Sequence, residues 1–364
     1  MLSSIWLFLP IHMADLHEAY MHRCIELAQL GAGFVAPNPM VGAVLVYENR
    51  IIGEGWHQQY GGAHAEVNCI NSVKTTDRSL IPFSILYVSL EPCAHYGKTP
   101  PCTKLIMEQQ IKKVVIGCRD PFEAVNGKGI EQLQNAGVEV MVNVLEKECI
   151  KLNRRFFGFH QLGRPYIILK WAQTADGYMA SNTPERLLIT HADTNRIVHQ
   201  WRAAESAILV GTETALKDNP SLTNRLWYGK SPLRMVVDRK LRLPSSLHIL
   251  NDGHPVIIFN EEKEGQEGTV TYVRVVKESS IINQILSYCY KKQIQSILVE
   301  GGAALLDSFL KEGYWDELRT ITNLQLNTGL GLKAPELPSA PVSENIRIGS
   351  DEIRFYYHDQ SLAL

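Results

Sequence analysis

Short apolar runs alternate with stretches of helical period twice along this chain, and one irregular segment separates the two series. In the first series DLHEAYMHRCIELAQL (15–30) has apolar positions at helical spacing and stops at Gly31 and Gly33. VGAVLVYENRIIGEGWH places two β-rich runs around a polar turn, a predicted hairpin. HAEVNCINSV then reads as a helix, SILYVSL as a buried strand ending at Glu91-Pro92-Cys93, and CTKLIMEQQ as a helix. KVVIGC is a strand, KGIEQLQNAG a helix closed by Gly137, and VEVMVNV a strand. Alternation of this kind predicts an α/β layered sheet.

The segment 145–165, LEKECIKLNRRFFGFHQLGRP, interrupts the rhythm and ends in a Gly/Pro turn. A second α/β series follows: YIILKWA, AILVG, LRMVVD, PVIIFN and SILVE as strands, with THADTNRIVHQWRAA, SIINQILSYCYKK and AALLDSFLKEG as helices. A chain of 364 residues exceeds one average domain, and the interruption predicts two, at 13–155 and 160–364.

Composition narrows the function classes. A net charge of −2 offers no bulk electrostatic attraction for nucleic acid, so no nucleic-acid partner is expected. Seven cysteines, an odd number scattered along a long chain, do not form a disulfide framework and suit a reducing cytoplasm. The N-terminal MLSSIWLFLPIHM lacks a basic flank and a small-residue cleavage site, and its apolar run is too short to span a bilayer. The functional chain is expected to begin near Met13, with no membrane partner.

GGAHAEVNC (61–69) puts His64 two positions before Glu66, between a glycine turn and an apolar run. Alone that is an ordinary helix start, since the helix dipole favours a glutamate there. EPCAHYGKTPPC (91–102) changes the balance by adding Cys93 after a strand and Cys102 at the next helix start. One imidazole and two thiolates leave the fourth tetrahedral position for water, the arrangement of a catalytic zinc. Zinc brings the pKa of that water toward neutrality, and Glu66, not itself a ligand, can shuttle protons to a departing amine. His-x-Glu followed by Pro-Cys is the pattern of zinc nucleobase deaminases. Two alternatives stand: buried cysteines are often inert small hydrophobes, and His95 could compete as a ligand.

Eight residues separate the two cysteines, where most zinc deaminases have two. With Pro37-Asn38-Pro39-Met40-Val41-Gly42-Ala43-Val44, His64-Ala65-Glu66 and Pro92-Cys93-Ala94-His95-Tyr96-Gly97-Lys98-Thr99-Pro100-Pro101-Cys102, the chain resembles the bifunctional riboflavin-biosynthesis deaminase/reductases. The resemblance runs from about residue 15 to the C-terminal region. It implies that Lys98 in the inserted loop holds a phosphate, that Asn38 contacts the pyrimidine and that His57 lines the pocket. Asp120 matches as well, whereas Phe122 occupies the position of the family's asparagine, so a polar substrate contact is lost or replaced there.

No G-x-G-x-x-G follows any strand, so a Rossmann fingerprint is absent. SILVEGGAALLDSFL (296–310) instead gives a strand, Glu300, two glycines and a helix, a turn where backbone N–H groups can approach an anion. GRPYIILKWAQTADG, AILVGTETALKDNPSLTNR and LVEGGAALL resemble the family's reductase half, which is related to dihydrofolate reductases. The resemblance implies NADPH contacts at Ala172, Thr214, Asp218 and the run Gly302, Ala303, Ala304, Leu305, Leu306, Asp307 and Ser308. It implies substrate contacts at Arg202, Leu222, Arg225 and Glu300, and a role for Lys170. The forked guanidiniums suit a phosphate monoester. The family's Ser-x-Trp-Ile-Ser/Thr run is replaced by Arg186-Leu187-Leu188-Ile189-Thr190, and Arg186 could itself reach a phosphate.

The resemblance therefore implies a cytidine-deaminase-like three-layer α/β domain, a zinc-dependent pyrimidine deaminase, joined to a dihydrofolate-reductase-like α/β domain that uses NADPH. The substrate would be a phosphoribosyl pyrimidine, deaminated and then reduced from ribosyl to ribityl, in a cytoplasmic homo-oligomer. A tRNA or nucleoside deaminase shares His-Ala-Glu and Pro-Cys but would want the two-residue cysteine spacing and a basic face, and it leaves about 200 residues unexplained. A zinc-stabilised binding protein would unfold on metal loss with no amine release to lose.

Overall fold

The computed structural model describes residues 13–96, 100–183 and 187–358. The chain divides into two compact units that part between Asn153 and Arg154.

The first unit runs α1 (Met13–Gln29), β1 (Gly42–Tyr47), β2 (Arg50–Trp56), α2 (Ala65–Ser72), a 3-10 stretch (Thr75–Phe83), β3 (Ile85–Leu90), α3 (Cys102–Glu108), β4 (Lys113–Cys118), α4 (Lys128–Asn135), β5 (Glu139–Met141) and α5 (Glu146–Leu152). The expected hairpin is β1–β2, which turns through Glu48 and Asn49 at φ 46 and 63. Positive φ at both central residues matches the twist of the flanking strands. The sheet order is β2-β1-β3-β4-β5, antiparallel across β1 and parallel from β3 to β5.

Strand residues alternate between two apolar layers. Ala43, Leu45, Leu86, Val88, Val114 and Ile116 join Cys69, Ile70, Ile106 and Leu133 of α2, α3 and α4. The opposite face meets α1, with α5 beside it. This is the three-layer arrangement the zinc-deaminase resemblance implies.

The second unit begins with α6 (Arg154–Leu162), so the irregular segment 145–165 is two helices and a Gly163 turn at φ 64. It continues β6 (Tyr166–Thr174), β7 (Tyr178–Ser181), α7 (Ala192–Ala204), β8 (Ala207–Gly211), α8 (Thr212–Asp218), β9 (Leu233–Val237), α9 (His248–Asn251), β10 (Val256–Asn260), β11 (Gly265–Glu267), β12 (Val270–Arg274), α10 (Ile281–Lys291), β13 (Ser296–Gly301), α11 (Ala303–Lys311), β14 (Glu317–Asn323), β15 (Gly331–Lys333), β16 (Glu344–Ile348) and β17 (Asp351–Tyr357).

Its main sheet has the order β11-β12-β10-β9-β8-β13-β6-β14-β17-β16. Neighbours from β12 to β14 are all parallel, and β11, β17 and β16 add antiparallel edges. Strands covered on both faces read as continuous apolar runs: Leu169 and Val299 pack on α10 and α11, while Ile168 and Leu298 pack on α7. β13 inserts between β6 and β8, so the strand order reverses there. Ligands of open α/β sheets bind outside the carboxyl ends of strands at such a reversal, and Lys170, Gly211 and Glu300 lie on β6, β8 and β13 at that place.

Candidate active sites

In the first unit the site begins with the absence of a side chain. A Cβ on Gly55 would lie 2.2 Å from Cys69 N and 2.6 Å from Asn68 C, so α2 rests directly on β2. Asn68 Nδ2 donates to Trp56 O at 2.7 Å, pinning the helix to the strand end. His64 is the N-cap of α2, in extended conformation, and its side chain caps nothing. The imidazole is therefore directed to other partners.

Cys102 Sγ lies 3.3 Å and Cys93 Sγ 3.6 Å from His64 Nδ1, and all three donor atoms fall within 4.8 Å of one another. Tetrahedral zinc with bonds of 2.0–2.3 Å requires donor separations of about 3.3–3.8 Å, so the set fits zinc. Among the described residues the group contains neither Glu66 nor His95. His95 instead faces the Phe122 ring edge-on, with centroids 6.1 Å apart.

A hydrogen bond from Cys102 lowers the Cys93 thiol against burial, with His64 assisting, which favours a thiolate at the donor cluster. Glu66 is 3% exposed, and burial raises its carboxyl above the usual range although His64 opposes the shift. A carboxyl of raised pKa beside a metal site can both accept and release a proton near neutral pH.

Asn38 and His57 form one unit. His57 Nδ1 lies 2.9 Å from Ala63 O, and since a carbonyl only accepts, Nδ1 carries the proton. Nε2 is then an acceptor for the Asn38 amide nitrogen at 3.1 Å. Burial holds His57 below the usual imidazole pKa, which keeps this tautomer neutral. The Asn38 carbonyl oxygen is thereby turned away from His57. Asp120 is buried, and burial pushes its carboxyl up to about 7 while the Phe122 N–H opposes. Lys98 lies outside the described residues.

In the sequence Glu91 reads as no more than a strand end. Its buried carboxylate accepts N–H groups from Asp120, Gly127, Gly129 and Ile130 at 3.2, 2.9, 2.9 and 3.3 Å. These bonds tie the strand end before Cys93 to the start of α4. Its sequence neighbours show none of its four partners.

In the second unit Arg202 of α7 donates to both oxygens of Glu300, Nε at 2.8 Å and Nη2 at 2.7 Å. Lys170 Nζ approaches the same carboxylate at 3.7 Å. Arg202 Nη1 reaches Thr223 O at 3.3 Å, and Arg225 Nη1 donates to Thr223 Oγ1 at 2.8 Å. Burial would raise the Glu300 carboxyl, but Arg202 and Lys170 outweigh it and hold it at about 2. Burial lowers Lys170, with Glu300 opposing. A cavity of about 230 Å³ opens beside this chain, lined by Asn195, Val198, His199, Arg202, Arg225 and Leu226.

The glycine turn is closely packed. A Cβ on Gly301 would meet the Thr214 side chain at 2.7 Å, and Gly302 caps α11 at φ 78. Thr214, Gly302 and Ala303 thus lie at one turn. Leu306 is fully buried in the core and Leu222 is 3% exposed in another apolar cluster, leaving their backbones for any ligand. Ala172 lies toward the end of β6, Asp218 is exposed at the end of α8, and Ala304 to Ser308 continue along α11. Arg186 lies outside the described residues. Sequence reasoning passed over His199, although it precedes Arg202 by one helical turn.

Both units are similar to known proteins. Residues 14–118 match the cytidine and deoxycytidylate deaminase zinc-binding region, and residues 165–323 match the RibD C-terminal domain. The riboflavin biosynthesis protein RibD of Aquifex aeolicus is 37% identical, covering 93% of this chain and 95% of its own. That of Bacillus amyloliquefaciens is 42% identical, covering 83% of each. The crystal structure of a diaminohydroxyphosphoribosylaminopyrimidine deaminase/5-amino-6-(5-phosphoribosylamino)uracil reductase from Thermotoga maritima superposes with a TM-score of 0.87 at 38% identity, covering 95% of this chain and 99% of that one. A zinc-dependent deaminase half and an NADPH-dependent reductase half, in one chain matched over nearly its whole length, make this protein a member of the bifunctional riboflavin-biosynthesis RibD family.

Proposed function

We propose that the first unit hydrolyses the 2-amino group of 2,5-diamino-6-(5-phosphoribosylamino)pyrimidin-4(3H)-one and that the second reduces the ribosyl group of the product to ribityl. The observation that carries the reading is the His64–Cys93–Cys102 cluster with the buried Glu66 on the same helix start. His64, Cys93 and Cys102 would hold zinc, which supplies a water acidified toward neutrality when bound. Glu66 takes a proton from the attacking water and returns it to the amino nitrogen, so the carbon–nitrogen bond breaks and ammonia leaves. The Asn38 carbonyl oxygen, oriented by His57, accepts from the pyrimidine, and Lys98 meets the phosphate.

In the second unit NADPH supplies the hydride when bound. The turn at Thr214, Gly302 and Ala303 would hold the cofactor, with Ala172 and Asp218 at its edges. Glu300, kept ionised by Arg202, accepts from ribosyl hydroxyls, and the buried Lys170 donates toward the opening ring. Arg225 offers a guanidinium to the phosphate.

The reading includes a cytoplasmic location, supported by seven unpaired cysteines, and a homo-oligomeric active form, for which light scattering is the check. Among the described residues no helix is long and apolar enough to cross a membrane.

The test is to supply the diaminopyrimidine with and without NADPH and follow ammonia and nicotinamide absorbance separately. Ammonia should appear in both cases, and NADPH should be consumed only after deamination. Nicotinamide oxidation without prior ammonia release would reject the order of steps, and no ammonia from the zinc-loaded protein would reject the substrate.

A further inference from the structure

The cavity of about 230 Å³ has two walls. Asn195, Val198, His199 and Arg202 recur along one stripe of α7, and Arg225 and Leu226 come from the irregular chain after α8. The two arginines differ in what they have left to offer. The Arg202 fork is engaged by Glu300 in a buried ion pair. Arg225 is exposed, and among the described residues its guanidinium makes one side-chain hydrogen bond, to Thr223 Oγ1. Arg225 therefore contributes the uncompensated positive charge at the rim.

What places Arg225 is a histidine. His199 is 6% exposed, and its Nδ1 accepts the Arg225 backbone N–H at 2.9 Å. A backbone N–H only donates, so Nδ1 must be unprotonated. Burial, then the adjacent Arg202 and Arg225, push the imidazole down to about 4 against Glu300 and a hydrogen bond with Asn224. At neutral pH the acceptor form is thus secured. The Asn224 side chain closes the neighbouring loop on Trp227 O and Gly229 O at 2.9 and 3.2 Å. The strand of chain bearing Arg225 is held from both ends.

We propose that His199 is a positioning residue for the reductase half: its neutral Nδ1 fixes the Arg225 backbone so that the guanidinium faces the cavity and meets the phosphate monoester of the substrate. The proposal rests on the reading that this cavity receives that phosphate. His199 acts through Arg225 and does not touch the reacting carbon.

The test uses the full-length, zinc-loaded chain and the purified deaminated substrate, with inorganic phosphate as a competing probe. Arg225→Ala comes first: it should raise KM for the substrate and weaken competition by phosphate. If both stay unchanged, the phosphate reading itself is rejected. With that established, His199→Leu should raise KM for the substrate about tenfold, the scale of one charge-assisted hydrogen bond lost. KM for NADPH and the ammonia-release rate should not move. His199→Asn should restore KM, because its Oδ1 stands one bond from Cγ as Nδ1 does, whereas His199→Gln should not. In the Arg225→Ala background His199→Leu should add nothing further. An unchanged KM in His199→Leu, equal effects of Asn and Gln, or an additive loss in the double variant would each overturn the role. Should His199→Leu fail to fold, the Asn and Gln pair decides.

Discussion

Arg202 grips Glu300 through two parallel hydrogen bonds of 2.8 and 2.7 Å, and Lys170 stands 3.7 Å from the same carboxylate. The folded-state pKa of about 2 lies below the unfolded carboxylate value, so the pair contributes stability above pH ~4.5 that is lost as pH falls toward 2. The contribution is on the order of 3 kcal/mol for a shift of this size. Glu317, held at about 2 by Arg319 and Arg154 against burial, acts in the same window. The melting temperature of the second unit should therefore fall steeply between pH 4.5 and 2, and a flat profile there would contradict the ionised pair. Arg202→Ala, which strands a buried charge, should cost about 3–5 kcal/mol, measured by denaturant unfolding.

Glu66→Gln should lower the ammonia-release rate by about 10²–10⁴-fold, the usual worth of a positioned acid–base group. Metal analysis should still find zinc bound, because the donor cluster does not include Glu66. Oxidation of NADPH by the deaminated substrate should proceed as in the unaltered chain. Retained deamination would remove Glu66 from the mechanism.

Stripping zinc with a chelator should abolish ammonia release and leave reduction of the deaminated substrate intact, since the metal donors all belong to the first unit. Readdition of zinc should recover deamination. Loss of both activities together would argue against separate sites.

Gly55→Val tests the seat of α2. The added side chain would press on the Cys69 and Asn68 backbone, and overpacking of that kind costs about 1–3 kcal/mol. Because His64 and Glu66 ride on this helix, zinc affinity should fall along with stability. Thermal unfolding and competition with a metal indicator report the two effects separately.

His57→Leu should free the Asn38 amide and raise KM for the diaminopyrimidine about tenfold, the scale of one hydrogen bond. His57→Gln can place an oxygen where Nε2 accepts, and should recover much of the loss. Steady-state ammonia release measures both; equal defects would mean that His57 merely fills space.

The parts written in short-range pattern were legible before the structure. His64, Glu66, Cys93 and Cys102 follow from motif chemistry, and the alternation of strands with helices follows from two periodicities. The 3-10 stretch Thr75–Phe83 has neither period, β7 and β15 pair with each other across a long stretch of chain, and β17 is seated on the distant β14 as well as on its hairpin neighbour β16. Glu91 is bonded 29–39 residues away, and His199 meets Arg225 26 residues away. Long-range hydrogen bonds of this kind have no local signature. The buried Glu205, paired with Arg155 and Arg319, was hidden for the same reason.

Glu91 sits among four backbone N–H groups just past the end of β3, two residues before Cys93. The chain that leads from β3 into Cys93 is thus tied to the start of α4 by a carboxylate of its own. A substitution that removes the Glu91 carboxylate would therefore unpair four backbone donors at once and loosen the approach to Cys93.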